Sequence, residues 1–270
     1  MLELWSIPFM RQAMIASFLM VVMLAYLGIH VVKRRIVFVD LALAQLSAVG
    51  VTLGMLIDYD PVVVSLVVTL VGSALLSLPV YESRIPQEAI MGIVYAVASA
   101  ATLLILSKMP HGEADLIGLF FGNILAVTPG QIDTLALIFG AVGCVHLIFF
   151  KKLMAISTAD PSPARSAFWN LLFYLTLALV IAMAIRTAGV LLVFSDLIIP
   201  AVLALLFTEE IGIAIPVAIG IGLMANAIGL YGAFLFDLPA GPSIVGSLGG
   251  GLVLAFFAKG FLCLWKRKKR

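Results

Sequence analysis

The stretch Gln12-Ala-Met-Ile-Ala-Ser-Phe-Leu-Met-Val-Val-Met-Leu-Ala-Tyr-Leu-Gly-Ile-His-Val-Val32 carries no formal charge over 21 residues and stops at Lys33-Arg34-Arg35. At about 1.5 Å of rise per residue, a helix of this length crosses the ~30 Å hydrocarbon core of a bilayer. The pattern recurs along the chain. Uncharged runs occupy 41–57, 61–81, 89–107, 134–150, 166–185, 211–236 and 238–258, and a further apolar run, 187–207, is interrupted only by Asp196. Together they give about nine spans, or eight if 187–207 is a broken or re-entrant piece. The shorter run 116–130 contains Asn123 and reads as a short helix or re-entrant loop at one face. These runs lack the two-residue alternation of barrel strands and are too long for them. The expected fold is therefore all-α: a polytopic helical membrane protein of about eight to nine transmembrane helices, with residues 1–270 forming one transmembrane domain.

Composition points the same way. Of 270 residues, 63% are hydrophobic and 11% charged, and the mean hydropathy is +1.22. A soluble domain carries about 25% charged residues, so this chain lacks the polar surface to cover a water-facing globule. A soluble enzyme, a nucleic-acid binder and a secreted module are excluded as the main reading. The net charge of +2 comes from 16 basic and 14 acidic residues, too balanced for a polyanionic partner. Cys144 and Cys263 lie far apart in apolar runs and are expected to be small packing residues rather than a disulfide or metal pair. Glu3 stands where a signal peptide needs a basic region, so no cleavable leader is expected.

The basic residues orient the spans. With nine crossings, one side receives Lys33, Arg34, Arg35, Arg84, Lys151, Lys152, Arg165, Lys259 and the five basic residues of the tail 266–270; the other receives Arg11, Lys108 and Arg186. Thirteen against three is a strong positive-inside bias, which places the C-terminus in the cytoplasm and the N-terminus outside. The loops around 33–35, 82–88, 151–168 and 208–211 then face the cytoplasm.

The chain has no P-loop, HExxH, CxxC or nucleophile elbow, so it carries no recognisable nucleotide site or catalytic centre. Its informative residues are polar groups at membrane depth, which are costly there and line pathways or pair internally. Asp40 opens the second span. It is either a carboxylate favouring the helix N-terminus beside Lys33-Arg34-Arg35 or a group facing a cation path. Gln45 lies a turn and a half deeper and reads as inter-helix glue or a ligand. Asp196 is a lone carboxylate in Val190-Leu-Leu-Val-Phe-Ser-Asp196-Leu-Ile-Ile-Pro200. Arg186 is ten residues away, ~15 Å along a straight helix, too far for an ion pair unless the helix breaks near Gly189. His146 is expected to pack as a neutral imidazole. His111, Glu113 and Asp115 form an outer cluster read as a solvated loop, or less readily as a metal-handoff point. Asn226 and Pro216 are read as helix packing and a kink.

Several stretches resemble one family. Ile85-Pro-Gln-Glu-Ala-Ile-Met-Gly-Ile-Val-Tyr-Ala-Val-Ala-Ser-Ala100, Leu119-Phe-Phe-Gly-Asn-Ile-Leu125, Gly189-Val-Leu-Leu-Val with Leu197-Ile-Ile-Pro200, and Asp237-Leu-Pro-Ala-Gly-Pro-Ser-Ile244 are similar, in this order and spacing, to the ABC-type importer permeases for zinc, manganese and iron. The resemblance covers nearly the whole chain. It implies a single permease domain of type II importer architecture, without tightly bound cofactors, that moves a divalent metal cation. It also implies a second permease copy, a separate cytoplasmic ATP-binding subunit, an extracytoplasmic metal-binding protein, surrounding lipid and a bacterial inner membrane. The coupling segment then falls at about Ala201 to Gly212, including Leu205, Thr208, Glu209 and Glu210, and the loop with Asp160-Pro161 is similar to a second cytoplasmic element. In the family, the second span usually carries an Asp and, four residues later, a His; here those positions hold Leu41 and Gln45, with Asp40 one residue early. Asp196 stands where the family is normally apolar. Asp40, Gln45 and Asp196 are therefore the expected metal path, an oxygen-rich set suited to harder cations. Two alternatives stand beside this reading: an ABC permease for a chelate or small organic solute, and a stand-alone secondary transporter or channel, for which no internal repeat is visible.

Overall fold

The computed structural model describes residues 7–78, 85–109, 122–158 and 163–268. Within these lie ten helices: α1 (Pro8–Lys33), α2 (Val39–Leu56), α3 (Pro61–Leu76), α4 (Gln87–Leu106), α5 (Pro129–Ile148), α6 (Phe150–Thr158), α7 (Pro163–Ala188), α8 (Val190–Phe207), α9 (Ile211–Phe236) and α10 (Ala240–Lys268). A 3-10 turn spans Ile124–Ala126, and no strand occurs among the described residues.

Local chemistry fixes several boundaries. Proline opens α1, α3 and α5, where its missing N–H costs no helical bond. Asp60 caps α3 by accepting from the Val62 N–H at 2.8 Å. At α5, Thr128 and Gln131 form a reciprocal capping box. The sharp separation of α7 from α8 rests on Gly189, whose φ of 80° is open to glycine and strained for other residues.

Each of the nine apolar runs contains a helix among the described residues. The run 187–207 is not re-entrant: α7 ends at Ala188, the helix breaks at Gly189, and α8 continues from Val190 to Phe207 with Pro200 inside it. Among the described residues, eight helices are long and apolar enough to cross a bilayer, and α3, with 16 residues, falls just short of that group. Its packing nevertheless makes it a full traverse. Gly50 meets Ser65 while Gly54 meets Pro61, so α3 runs antiparallel to α2 along its length. An independent check comes from α1, α8 and α9. Ser17 bonds Asn226 and Val21 abuts Gly222, so α1 and α9 run oppositely. Asp196 bonds Asn226 and Pro200 abuts Gly222, so α8 and α9 do too. Helices α1 and α8 then point the same way, which requires an even number of reversals between them. That holds only when α3 counts.

Three expectations need adjusting. The short helix α6 follows α5 directly, a feature the charge pattern did not announce because Lys151 and Lys152 read as loop. Of the run 116–130, Asn123 is non-helical and leads into the 3-10 turn, while 110–121, with His111, Glu113 and Asp115, lies outside the described residues. Asp160 and Pro161 lie outside them as well. Cys144 is exposed on the apolar outer face of α5 rather than packed inside.

Helices α1 and α8 lie at the centre. On one side α9 and α10 pack against them; on the other, α2, α3 and α4 form a second group that α7 joins to the rest. The closest approach is between α1 and α8. A Cβ at Gly28 would stand 1.8 Å from the Leu197 carbonyl oxygen, so the backbones meet with no side chain between them. Small residues allow such contact where lipid supplies no hydrophobic drive for helix association. Gly28→Leu is expected to separate α1 from α8 and destabilise the protein by about 1–3 kcal/mol or more; thermal melting of detergent-solubilised protein, followed by loss of the monodisperse peak, checks this.

Candidate functional site

Asp196 is wholly buried, at 0% exposure, between α8 and α9. Its Oδ1 accepts a 2.6 Å hydrogen bond from the Asn226 amide nitrogen. The same nitrogen donates to the Gly222 carbonyl at 3.0 Å. A carbonyl only accepts, so the amide has one workable orientation: both N–H groups are committed, and the Asn226 oxygen faces the other way. There it accepts from Ser17 Oγ on α1 at 2.6 Å. The result is a chain of three side chains from three helices, Ser17 to Asn226 to Asp196. It leaves Asp196 Oδ2 buried and without a partner.

The helix does break at Gly189, as an Asp196–Arg186 pair would need, but the pair does not form. Arg186 is exposed and feels the charge of Asp60 in the α2–α3 turn. Asp196 is thus half satisfied, by a neutral amide. Asn226 is the residue that sequence reasoning undervalued. The argument that singled out Asp196, a strongly polar group in mid-span, applies to an amide too, but with a weaker penalty it passed as ordinary helix glue.

Asp40 occupies the second position of α2 and is 1% exposed, with Oδ1 buried and unpartnered. It does not balance the adjoining bases. Arg34 instead donates to Asn170 at 3.0 Å and stacks 4.2 Å above the Phe173 ring. Gln45 is buried and makes no side-chain hydrogen bond to another described residue; the inter-helix contact nearby is Ser47 to Ser65, at 2.8 Å. Asp40 and Gln45 sit in the α2–α3–α4 group, Asp196 in the α1–α8–α9 group, and no hydrogen bond joins them. No three His, Cys, Asp or Glu side chains among the described residues assemble as a metal-ligand set.

The segment 201–212 divides in two. Ala201 is fully buried inside α8 and Leu205 is half-buried, whereas Thr208, Glu209 and Glu210 form the turn into α9, with both glutamates exposed. Thr208 Oγ1 accepts from the Glu210 N–H at 3.2 Å, and Lys259 of α10 donates to the Leu206 carbonyl at 2.6 Å, holding the end of α8.

His146 belongs to a buried network rather than packing alone. Thr176 donates its hydroxyl to backbone carbonyls of its own helix, so His146 Nε2–H donates to Thr176 Oγ1, at 2.8 Å, and Nδ1 accepts from the Tyr26 hydroxyl, at 3.1 Å. His30 repeats the logic: Ser157 Oγ donates to the Leu153 carbonyl, so His30 Nδ1–H donates to Ser157, at 2.8 Å. His146 is bonded at both ring nitrogens, whereas His30 Nε2 is buried without a partner. The network ties α6 onto α1.

Nine traversing helices among the described residues, with carboxylates and an amide enclosed at membrane depth and an exposed acidic turn between two spans, define a polytopic permease subunit. Comparison with known proteins places it further. Residues 6–259 match the model of the ABC 3 transport family. The manganese transport system membrane protein MntC of Halalkalibacterium halodurans is 25% identical over 276 residues, covering 99% of this chain and 94% of that one. The manganese import system permease protein ScaB of Streptococcus gordonii is 26% identical, covering 88% and 86%. The fold matches a chain of PsaBC from Streptococcus pneumoniae, solved in complex with Fab, with a TM-score of 0.78 at 23% identity, over 94% of this chain and 92% of that one. The chain belongs to the ABC 3 transport family. It is a multi-pass membrane subunit of an ABC transporter, and ATP hydrolysis falls to a separate subunit.

The histidine network yields a test. Ser157→Ala leaves His30 Nδ1–H buried without an acceptor, which costs about 1–3 kcal/mol. A thermal melt lower than wild type, with Ser157→Thr close to wild type, is expected.

Proposed function

We propose that this chain is the permease of an importer for divalent metal ions, with manganese as the leading cargo. The observation that carries the reading is a family match spanning nearly the whole chain, joined to buried carboxylates that no cation neutralises. The relatives named above are manganese permeases, and oxygen donors suit that ion. Asp40, Gln45 and Asp196 are the residues of the path. They need not act as one cluster: a cation crossing ~30 Å of hydrocarbon meets successive sites, and the two helix groups offer one carboxylate each.

In this reading all 270 residues serve as one permease domain. It pairs with a second copy in a bacterial inner membrane, receives metal from an extracytoplasmic binding protein and keeps its C-terminus in the cytoplasm. The helix directions support that sidedness: Arg34, Asn170 and Lys259 fall at one end of the bundle, and Asp60 and Arg186 at the other. The turn Thr208–Glu210 then lies on the cytoplasmic side, open to the ATP-binding subunit.

Two experiments test the proposal. Glu209→Lys with Glu210→Lys is expected to weaken ATPase binding several-fold while the spans stay folded, because both side chains are solvated; co-purification of the two subunits reads this out. In proteoliposomes holding the full transporter, Asp196→Asn is expected to abolish ATP-dependent Mn2+ uptake per assembled complex, and Asp40→Asn to reduce it less. Wild-type uptake in Asp196→Asn removes that residue from the path, and uptake driven by an ion gradient without ATP removes the ABC reading altogether.

A further inference from the structure

The permease reading makes Asp196 one stop on a path, but the local geometry says more. Asp196 lies four residues before Pro200, and proline has no N–H. The helical bond from residue 200 back to the Asp196 carbonyl is therefore missing, and the ring crowds that carbonyl. Asp196 thus presents one oxygen without a partner, Oδ2 of its side chain, together with a backbone carbonyl that lacks its usual helical bond from residue 200.

We propose that the Asp196–Pro200 turn of α8 is a cation-binding site contained within one subunit, taking a hard divalent ion through Asp196, with Asn226 as its positioning residue. This rests on the permease reading and assigns the site a ligand class and a second residue. Asn226 does not donate charge. It fixes Oδ1 of the carboxylate, and because the Gly222 carbonyl prevents the amide from turning over, the carboxylate keeps one oxygen occupied and one free. Ser17 secures the far side of the amide and so connects the site to α1. Helix α1 packs closely here, with Val21 against Gly222 and Gly28 against the Leu197 carbonyl. Access to the fully enclosed Asp196 therefore requires α1 to move relative to α8 and α9, and that motion loosens the Ser17–Asn226 bond. Carboxylate and carbonyl oxygens select Mn2+, Mg2+ or Ca2+ chemistry over thiolate- or imidazole-seeking metals. The separation from α2 predicts that this site and Asp40 bind independently.

The test uses the full-length permease in lipid nanodiscs, without ATPase or binding protein, and follows free Mn2+ by its electron paramagnetic resonance signal. Wild type is expected to remove Mn2+ from solution, Asp196→Asn and Asn226→Leu to bind at least ten-fold more weakly, and Asp40→Asn to leave this site's affinity within two- to three-fold. Asp196→Asn is also the folding control: its amide oxygen still accepts from Asn226, so the α8–α9 bond is kept while the anionic oxygen is lost. A correctly folded Asp196→Asn that binds at least ten-fold more weakly supports the assignment. Wild-type Mn2+ binding by Asp196→Asn overturns it. Loss of binding in Asp40→Asn alone overturns it too and moves the site to α2. The permease reading fails separately, on absent ATP-dependent uptake, and none of these binding results bears on that.

Discussion

The hydrogen bond from Asn226 to Asp196 is the contact on which the centre of this molecule turns. In a bilayer no water is available to solvate a carboxylate, and an unpartnered polar group there costs several kcal/mol. The fold answers with an amide rather than a counter-charge. To bring that amide into reach, α8 and α9 must lie side by side with Gly222 against Pro200, and the amide's spare oxygen then draws Ser17 and α1 into the same junction. Three helices are located by one small polar chain, which packing by leucine and alanine alone would leave free to slide.

The remaining polar groups show the same economy. His30, His146, Ser157, Thr176 and Tyr26 bond one another in pairs, with the serine and threonine hydroxyls relaying to backbone carbonyls, and of the four ring nitrogens His30 Nε2 alone has no partner. Asp40 Oδ1 and Asp196 Oδ2 are buried without partners, as are His30 Nε2, Arg34 Nε, Ser99 Oγ and Thr102 Oγ1, and the two carboxylates are the only acidic groups among these. In the reading proposed above, a cation cargo is the partner that the two carboxylates lack.

The two carboxylates also belong to different halves of the bundle. Asp40 enters with α2, which pairs with α3 and α4; Asp196 enters with α8, which pairs with α1, α9 and α10. The exposed turn Thr208–Glu210 joins α8 directly to α9, the helices that hold Asp196 and Asn226.

Much of the architecture was legible in the sequence, because a bilayer imposes a simple rule: an uncharged run of sufficient length has to be a helix. The nine runs from Gln12 to Ala258 were found that way. Asp196 was visible for the same reason, as a charge where charge is costly. The sequence could not show its partner. Arg186 is near in the chain and of the right sign, yet Asn226, thirty residues on, is the group that reaches it, because contact between helices depends on which faces meet and at what crossing. The same holds for Ser17, for the pairing of His30 with Ser157, and for α6, whose lysines resemble a loop until the helix is seen lying against α7 and α1. Ala201 and Glu210 look like parts of one coupling segment in the sequence; the tertiary structure buries the first beneath α1 and leaves the second in solvent. Spans are decided by transfer from water to lipid, which each residue carries with it, whereas partners are decided by packing, which belongs to no single segment.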